Sequence, residues 1–191
     1  MDWPHALLHC RRLCSVGVAA ALLAATFAHA TPTQDDDLTR LLAERGLIGR
    51  IEQMGQSVAD RASELVMNAM GFLGVPYRRG GSTFEAGFDC SGFVRAIYEQ
   101  TLGLALPRSA HEQAAATERI DRTDLQPGDL VFFNTMRRAF SHVGIYVGNG
   151  KFIHAPRPGG AIRVEDMGGA YWAKRFDGAR RVAVAEASPP R

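Results

Sequence analysis

The sequence predicts an α+β domain whose helices come first and whose strands follow. Two observations carry that expectation. Between residues 58 and 102 apolar side chains recur at helical spacing, first Ala62, Leu65, Val66, Ala69, Met70 and Leu73, then Phe93, Val94, Ala96, Ile97 and Leu102. From residue 129 onward, short apolar or alternating runs stand between Gly- and Pro-bearing turns, a strand pattern. With 191 residues, 46% hydrophobic and 22% charged, the chain has room for one domain with a proper core plus appendages. A net charge of +2 without a run of lysines argues against a nucleic-acid partner.

The N-terminus predicts export. Arg11 and Arg12 precede an uncharged, mostly apolar run over residues 13–27 that closes on Ala28-His29-Ala30, the pattern of a secretory signal peptide over residues 1–30 cut after Ala30. A membrane span needs ~20 apolar residues, more than this run supplies, so no stable membrane insertion is expected after cleavage. Cys10 and Cys14 do not stand behind small residues at the end of the run, which argues against a lipid anchor. The Arg11-Arg12 pair alone does not define a twin-arginine signal. Cleavage removes both cysteines and leaves Cys90 alone in the exported chain. In an oxidising compartment a solitary cysteine signals either intermolecular pairing or a working thiol.

The mature chain is expected to open with a helical linker over residues 31–57. There Asp35-Asp36-Asp37 could cap a segment carrying Leu38, Leu41, Leu42, Leu47, Ile48, Ile51 and Met54, although Gly46 and Gly49 weaken it. This linker is expected to pack on the domain that follows, over residues 58–184. A firmer helix covers residues 58–73 and ends at Gly74 and Pro76. Tyr77-Arg78-Arg79-Gly80-Gly81 forms a turn without a phosphate-loop pattern. Asp89 then caps a helix with Cys90 in its first turn, where unpaired N–H groups and the helix dipole favour a thiolate. Leu106-Pro107-Arg108-Ser109 is a loop and helix start before a polar, Ala-rich segment to about residue 117. Strands are expected over 129–133, 142–147 and 151–155, with weaker ones over 161–164 and 180–184, and a disordered tail over 185–191.

The Gly148-Asn149-Gly150 turn sets the register of two of these strands. A three-residue loop pairs Val147 with Lys151, Tyr146 with Phe152 and Gly144 with His154, which puts His142 diagonal to His154 on one face at about 7 to 8 Å. Val143, Ile145, Val147, Ile153 and Ala155 then form a core surface on the other face. A two-residue loop would shift the pairing by one and send the histidines to opposite faces. Two histidines and the Cys90 thiolate could hold a metal, but neither paired cysteines nor an HExxH motif accompanies them. A nucleophile, a base and an orienting group account better for Cys90, His142 and His154, with no metal or cofactor.

At these residues the chain resembles the NlpC-type family of cell-wall cysteine peptidases. The resemblance runs through Gly74-Val75-Pro76-Tyr77 with Gly80-Gly81, Asp89-Cys90-Ser91-Gly92-Phe93, Leu106-Pro107-Arg108-Ser109 and Gln113. It continues through Pro127-Gly128-Asp129-Leu130-Val131-Phe132-Phe133, His142-Val143-Gly144-Ile145-Tyr146 and His154-Ala155 to Trp172 and Arg180-Arg181. It implies a papain-like α+β fold, an antiparallel sheet with the Cys-bearing helix packed against it. It also implies hydrolysis of peptidoglycan peptides in the periplasm or cell envelope, at a D-glutamyl-diamino acid stem bond or a stem cross-link.

Carried over by motif, Cys90 is the nucleophile, His142 the base, His154 the group that orients it, and Tyr77 a donor to the oxyanion beside the Cys90 N–H. Asp89, Ser91, Arg108 and Ser109 are expected at the substrate cleft. Arg108, Arg78 and Arg79 suit peptide carboxylates. No recognisable glycan-binding repeat accompanies the domain, so targeting is expected to depend on residues 31–57 or on a regulatory or targeting protein partner. Two other readings stay open: an acyl-transfer enzyme with the same Cys-His pair, and a non-catalytic wall-binding module.

Overall fold

The computed structural model describes residues 38–183 apart from 42 and 44. The expected signal peptide, the start of the linker, the tail over 185–191 and residue 184 of the last expected strand lie outside the described residues. Helix α1 (Leu47–Met70) is one element of 24 residues, so no break separates the linker from the helix expected at residue 58. It starts after Gly46, which adopts the left-handed conformation (φ 65°), and it carries Gly49 and Gly55 in its interior. Leu65 and Ala69 in its last turns are buried, whereas Ile51, Met54 and Val58 face solvent. The segment before residue 58 is therefore not packed on the domain as expected.

The helix also ends earlier than residue 73. The Phe72 and Leu73 N–H groups reach back only three residues, to Ala69 and Met70 (3.1 and 3.2 Å), and the Gly74 N–H leaves for the Ile162 carbonyl at 2.9 Å. That tightened exit feeds residues 74–77 along residues 160–162, with the Tyr77 N–H on the Gly160 carbonyl at 2.8 Å and a bridge between Pro76 and Ala161.

A short hairpin, β1 (Ser82–Thr83) and β2 (Gly87–Phe88), has no apolar run to announce it; it leads into helix α2 (Cys90–Leu102). The Asp89 carboxylate accepts the Gly92 N–H at 2.8 Å, the cap the sequence predicts. Phe93, Val94 and Ile97 on α2 are fully buried against α1 and the sheet, each contributing about 1.5–3 kcal/mol by leaving water. Gly92 is required by its neighbours: a Cβ there would sit 2.2 Å from the Gly81 carbonyl oxygen and 3.0 Å from the Asp89 carboxylate. Gly92→Ala is therefore expected to lower stability by about 3 kcal/mol, read by urea unfolding, because a backbone carbonyl must move. A loss under 0.5 kcal/mol would contradict this packing.

Helix α3 (Ala110–Ala115) starts at Ser109 with a capping box to Glu112. The remainder is a six-stranded sheet in the order β3-β8-β4-β5-β6-β7, antiparallel throughout: β3 (Glu118–Ile120), β4 (Leu130–Phe133), β5 (His142–Gly148), β6 (Lys151–His154), β7 (Arg163–Asp166) and β8 (Phe176–Arg181). β3 is a short polar edge strand that no hydrophobic pattern marks. β7 and β8 are displaced from the expected 161–164 and 180–184, β8 being held to β3 and β4 by pairing rather than by apolar content. Arg181 grips the buried Asp129 with two hydrogen bonds of 2.8 and 2.7 Å, which gives those two motif residues a structural reason.

The β5–β6 hairpin corrects one expected pair. Tyr146 faces Phe152 as predicted, but Gly148, not Val147, faces Lys151. The loop is the two-residue Asn149-Gly150 turn, both with positive φ, and a bulge between Tyr146 and Gly148 absorbs the odd residue. The bulge preserves the register that keeps both histidines on one face. Helix α4 (Ala170–Ala173) lies beyond β7. Leu130, Phe132, Val143, Ile145, Ile153 and Ala155 form the core with α1 and α2; Val131, Phe133 and Phe152 pack with Met167 and Trp172 in a second cluster.

Candidate active site

Helix α2 and strand β5 both begin at one cleft of about 1220 Å³. Tyr77, Asp89, Cys90, Ser91, Arg108, Ser109 and His142 line it, which brings together all but one of the site residues expected from the sequence. His154 is the exception: it is fully buried behind His142, its Nδ1 2.7 Å from His142 Nε2. Because Nε2 of His142 is engaged there, Nδ1 is the nitrogen left for the cleft.

Cys90 is partly exposed and lines the cleft beside His142, the first residue of β5. Burial pushes the thiol up to about 11, and the backbone donors of Val143 and Ser91 only partly offset this. The helix N-terminus thus does not make a resting thiolate as its position alone suggests; loss of water outweighs it. Burial likewise pushes His142 down to about 4 and, with His142 and Arg163 nearby, His154 down to about 2. Thiol and imidazoles rest uncharged, and a proton moved from Cys90 to His142 creates two opposite charges that support each other.

The histidines also set an acid limit on stability. The unfolded chain binds protons near pH 6.5 while the folded one resists until about pH 4 at His142, so stability is level above pH 7 and falls as pH drops below 6.5. Between pH 7.5 and 5 the expected loss is about 2 kcal/mol per histidine, measurable by urea unfolding. Equal stability at the two pH values would show that the imidazoles protonate freely in the fold.

Residues 74–181 match the NlpC/P60 family. The chain belongs to that family. It is similar to murein DD-endopeptidase MepH of Escherichia coli (strain K12), 41% identical over 138 residues that cover 70% of this chain and 51% of that protein. It is also similar to gamma-DL-glutamyl hydrolase of Bacillus subtilis (strain 168), 43% identical over 118 residues, 61% of this chain and 28% of the relative. The chain thus spans about half the length of the first relative and little more than a quarter of the second. The solved NlpC/p60 domain of peptidoglycan hydrolase SagA aligns with 63% of this chain and 98% of its own, at 33% identity and a TM-score of 0.56. The expected α+β fold with an antiparallel sheet is that of NlpC/P60 domains.

Within this NlpC/P60 domain the polar residues around Cys90 are committed to one another. Arg108 forks onto Asp89 (2.9 and 2.7 Å) and also reaches Ser91 Oγ at 3.0 Å, so its guanidinium is already paired with a protein carboxylate. Asp89 in turn accepts the Gly80 and Gly92 N–H groups. Ser109 is taken up by its capping box with Glu112. Gln113, fully buried, donates to the Ser91 and Pro107 carbonyls and so ties α3 to the start of α2. Burial raises the Tyr77 hydroxyl above its usual range, with Cys90 and Asp89 adding to it, which keeps that hydroxyl a proton-bearing donor. Arg79, Arg138 and Arg157 also line the cleft and give it a cationic rim.

Two residues at the histidine pair carry no expectation from local pattern. Trp172 stacks on His142 (centroids 5.5 Å apart, 28° between planes) and meets His154 edge-on at 5.0 Å. Its Nε1 donates to Glu165 of β7. The motif match includes Trp172 but assigns it no task, and Glu165 is one of many charged residues with no distinguishing spacing.

Proposed function

We propose that this NlpC/P60 protein is an exported cysteine endopeptidase that hydrolyses peptidoglycan peptides, at a D-glutamyl-diamino acid stem bond or at a stem cross-link. The observation that carries it is that one cleft is lined both by Cys90, at the head of α2, and by a histidine whose far nitrogen lies 2.7 Å from a second, buried histidine. The names of the relatives support the substrate class: one is a murein DD-endopeptidase, the other a gamma-DL-glutamyl hydrolase. Envelope location rests on the same relatives and on the export pattern of residues 1–30; among the described residues no helix is long and apolar enough to cross a membrane.

In the reaction, His142 Nδ1 takes the Cys90 thiol proton as the sulfur attacks the scissile carbonyl carbon. The oxyanion that forms is held by the Cys90 N–H and the Tyr77 hydroxyl, donors aimed where charge develops. His142 returns the proton to the departing amine and leaves a thioester on Cys90. Water, deprotonated by His142, then attacks the thioester and restores the thiol. Asp89, Ser91, Arg108 and Ser109 form the polar wall beside Cys90 that borders the peptide, and the cationic rim suits its carboxylates.

The test is digestion of purified peptidoglycan beside a Cys90→Ala control, with released muropeptides identified by mass. Cys90-dependent products name the bond. Transfer of the acyl group to an added amine in place of hydrolysis would assign an acyl-transfer enzyme, and retention on the wall without cleavage a binding module.

A further inference from the structure

The described residues leave one nitrogen of the histidine pair unaccounted for. His154 is fully buried, its Nδ1 meets His142, and its Nε2 has no hydrogen-bond partner. An unpaired buried nitrogen costs about 1–3 kcal/mol, so its surroundings are informative. The β6–β7 register sets Arg163 across from His154 and Glu165 across from Phe152, which puts all four on the same face of the sheet. Glu165 Oε2 lies 3.7 Å from His154 Nε2, just outside hydrogen-bonding range. The carboxylate is gripped from two sides, by Arg163 Nε on one oxygen and by Trp172 Nε1 on the other. Trp172 itself covers both imidazoles.

We propose that Glu165 is a positioning residue of the catalytic apparatus, the acceptor for His154 Nε2–H that selects the tautomer in which His142 Nδ1 is free to take the Cys90 proton. The chain of reasoning is one of donor counting. An ionised carboxylate only accepts, so facing it His154 carries its single proton on Nε2. Nδ1 is then a lone pair and must accept, at 2.7 Å, the proton on His142 Nε2. With that proton placed, His142 Nδ1 holds the lone pair that a base needs. In the opposite tautomer His154 Nε2 would point a lone pair at a carboxylate, and His142 would carry its proton on the nitrogen facing Cys90, where it cannot act as base. A closure of less than 1 Å by Glu165 or His154 completes the bond.

The proposal rests on the Cys90–His142–His154 reading, and its test is chosen so that the two can fail separately. The full chain, labelled with ¹⁵N-histidine, is observed at pH 7.5 through long-range ¹H–¹⁵N couplings, which report the tautomer of each imidazole without turnover. The expected result is Nε2–H at both His154 and His142. Glu165→Gln keeps an acceptor oxygen and is expected to retain that tautomer and rescue activity on purified peptidoglycan to within about threefold. Glu165→Leu is expected to shift His154 toward Nδ1–H and lower kcat about 10- to 100-fold with KM unchanged, as for other residues that act through a ligand of the reacting group.

A wild-type His154 bearing its proton on Nδ1 overturns the proposal, and that result stands even if Glu165→Leu does not fold. So does a folded Glu165→Leu protein with the wild-type tautomer and activity within twofold. Turnover that survives Cys90→Ala would instead sink the cysteine-peptidase reading while the tautomer assignment stood.

Discussion

Cys90→Ala is expected to lower the proposed peptidoglycan cleavage by about 10⁴-fold or more, with the melting temperature unchanged within a few degrees. The large loss follows from covalent catalysis: without sulfur no thioester forms, and only the oxyanion donors and peptide binding remain. The small structural effect follows from position. Cys90 is the first residue of α2 and partly exposed, and the helix is capped by Asp89 without any help from the sulfur. Cys90→Ser is expected to be nearly as inactive. A hydroxyl is a far weaker acid than a thiol, and His142, with its basicity depressed by burial, is a poor base for it. Release of the same muropeptides within tenfold of the wild-type rate would remove Cys90 from the mechanism.

His142→Ala is expected to cost about 10³-fold at pH 7.5 and to change the shape of the pH profile. With burial holding the Cys90 thiol near 11, hardly any thiolate exists at neutral pH unless an adjacent base takes the proton. In the variant the rate should therefore climb about tenfold per pH unit through the alkaline range as the thiolate fraction grows. The wild type should be level over the same interval, its acid limb lying below pH 6.5 because His142 is pushed down toward 4. Initial rates from pH 6 to 10 on one muropeptide substrate make the comparison. A variant profile parallel to that of the wild type would show that His142 is not the base.

How much of this was legible beforehand depended on whether the signal was local. A cap, an apolar stripe and a turn are written within a few residues, so Asp89 before Cys90 and the buried face of α2 were readable. The same-face placement of His142 and His154 was also readable, because the alternation of strands carries it. A bulge with a two-residue loop gives the same register as a plain three-residue loop, so the local pattern does not tell the two turns apart. β1, β2 and β3 are too short to show a period: β1 and β2 pair with each other as a local hairpin, and β3 exists because β8, from the far end of the sheet region, pairs with it. Gly46 and Gly49 weaken the linker helix in the sequence; Gly46 falls just before α1, and the helical cost of Gly49, about 1 kcal/mol, does not by itself stop a helix.

The sequence by itself determined the chemical identities and their order: one thiol at a helix start, two histidines in register, an acid beside the thiol, and an α-then-β layout. Tertiary structure alone decided what those groups do to one another. Burial sets Cys90 and His142 to their neutral forms against the helix dipole, since desolvation depends on everything packed around a group and not on its neighbours in sequence. Arg108 finds Asp89, 19 residues away, and turns a residue suited to carboxylates into a brace for the α2 cap. Trp172 and Glu165 reach the histidine pair from α4 and β7, elements that meet β5 and β6 only once the sheet has closed over its second core.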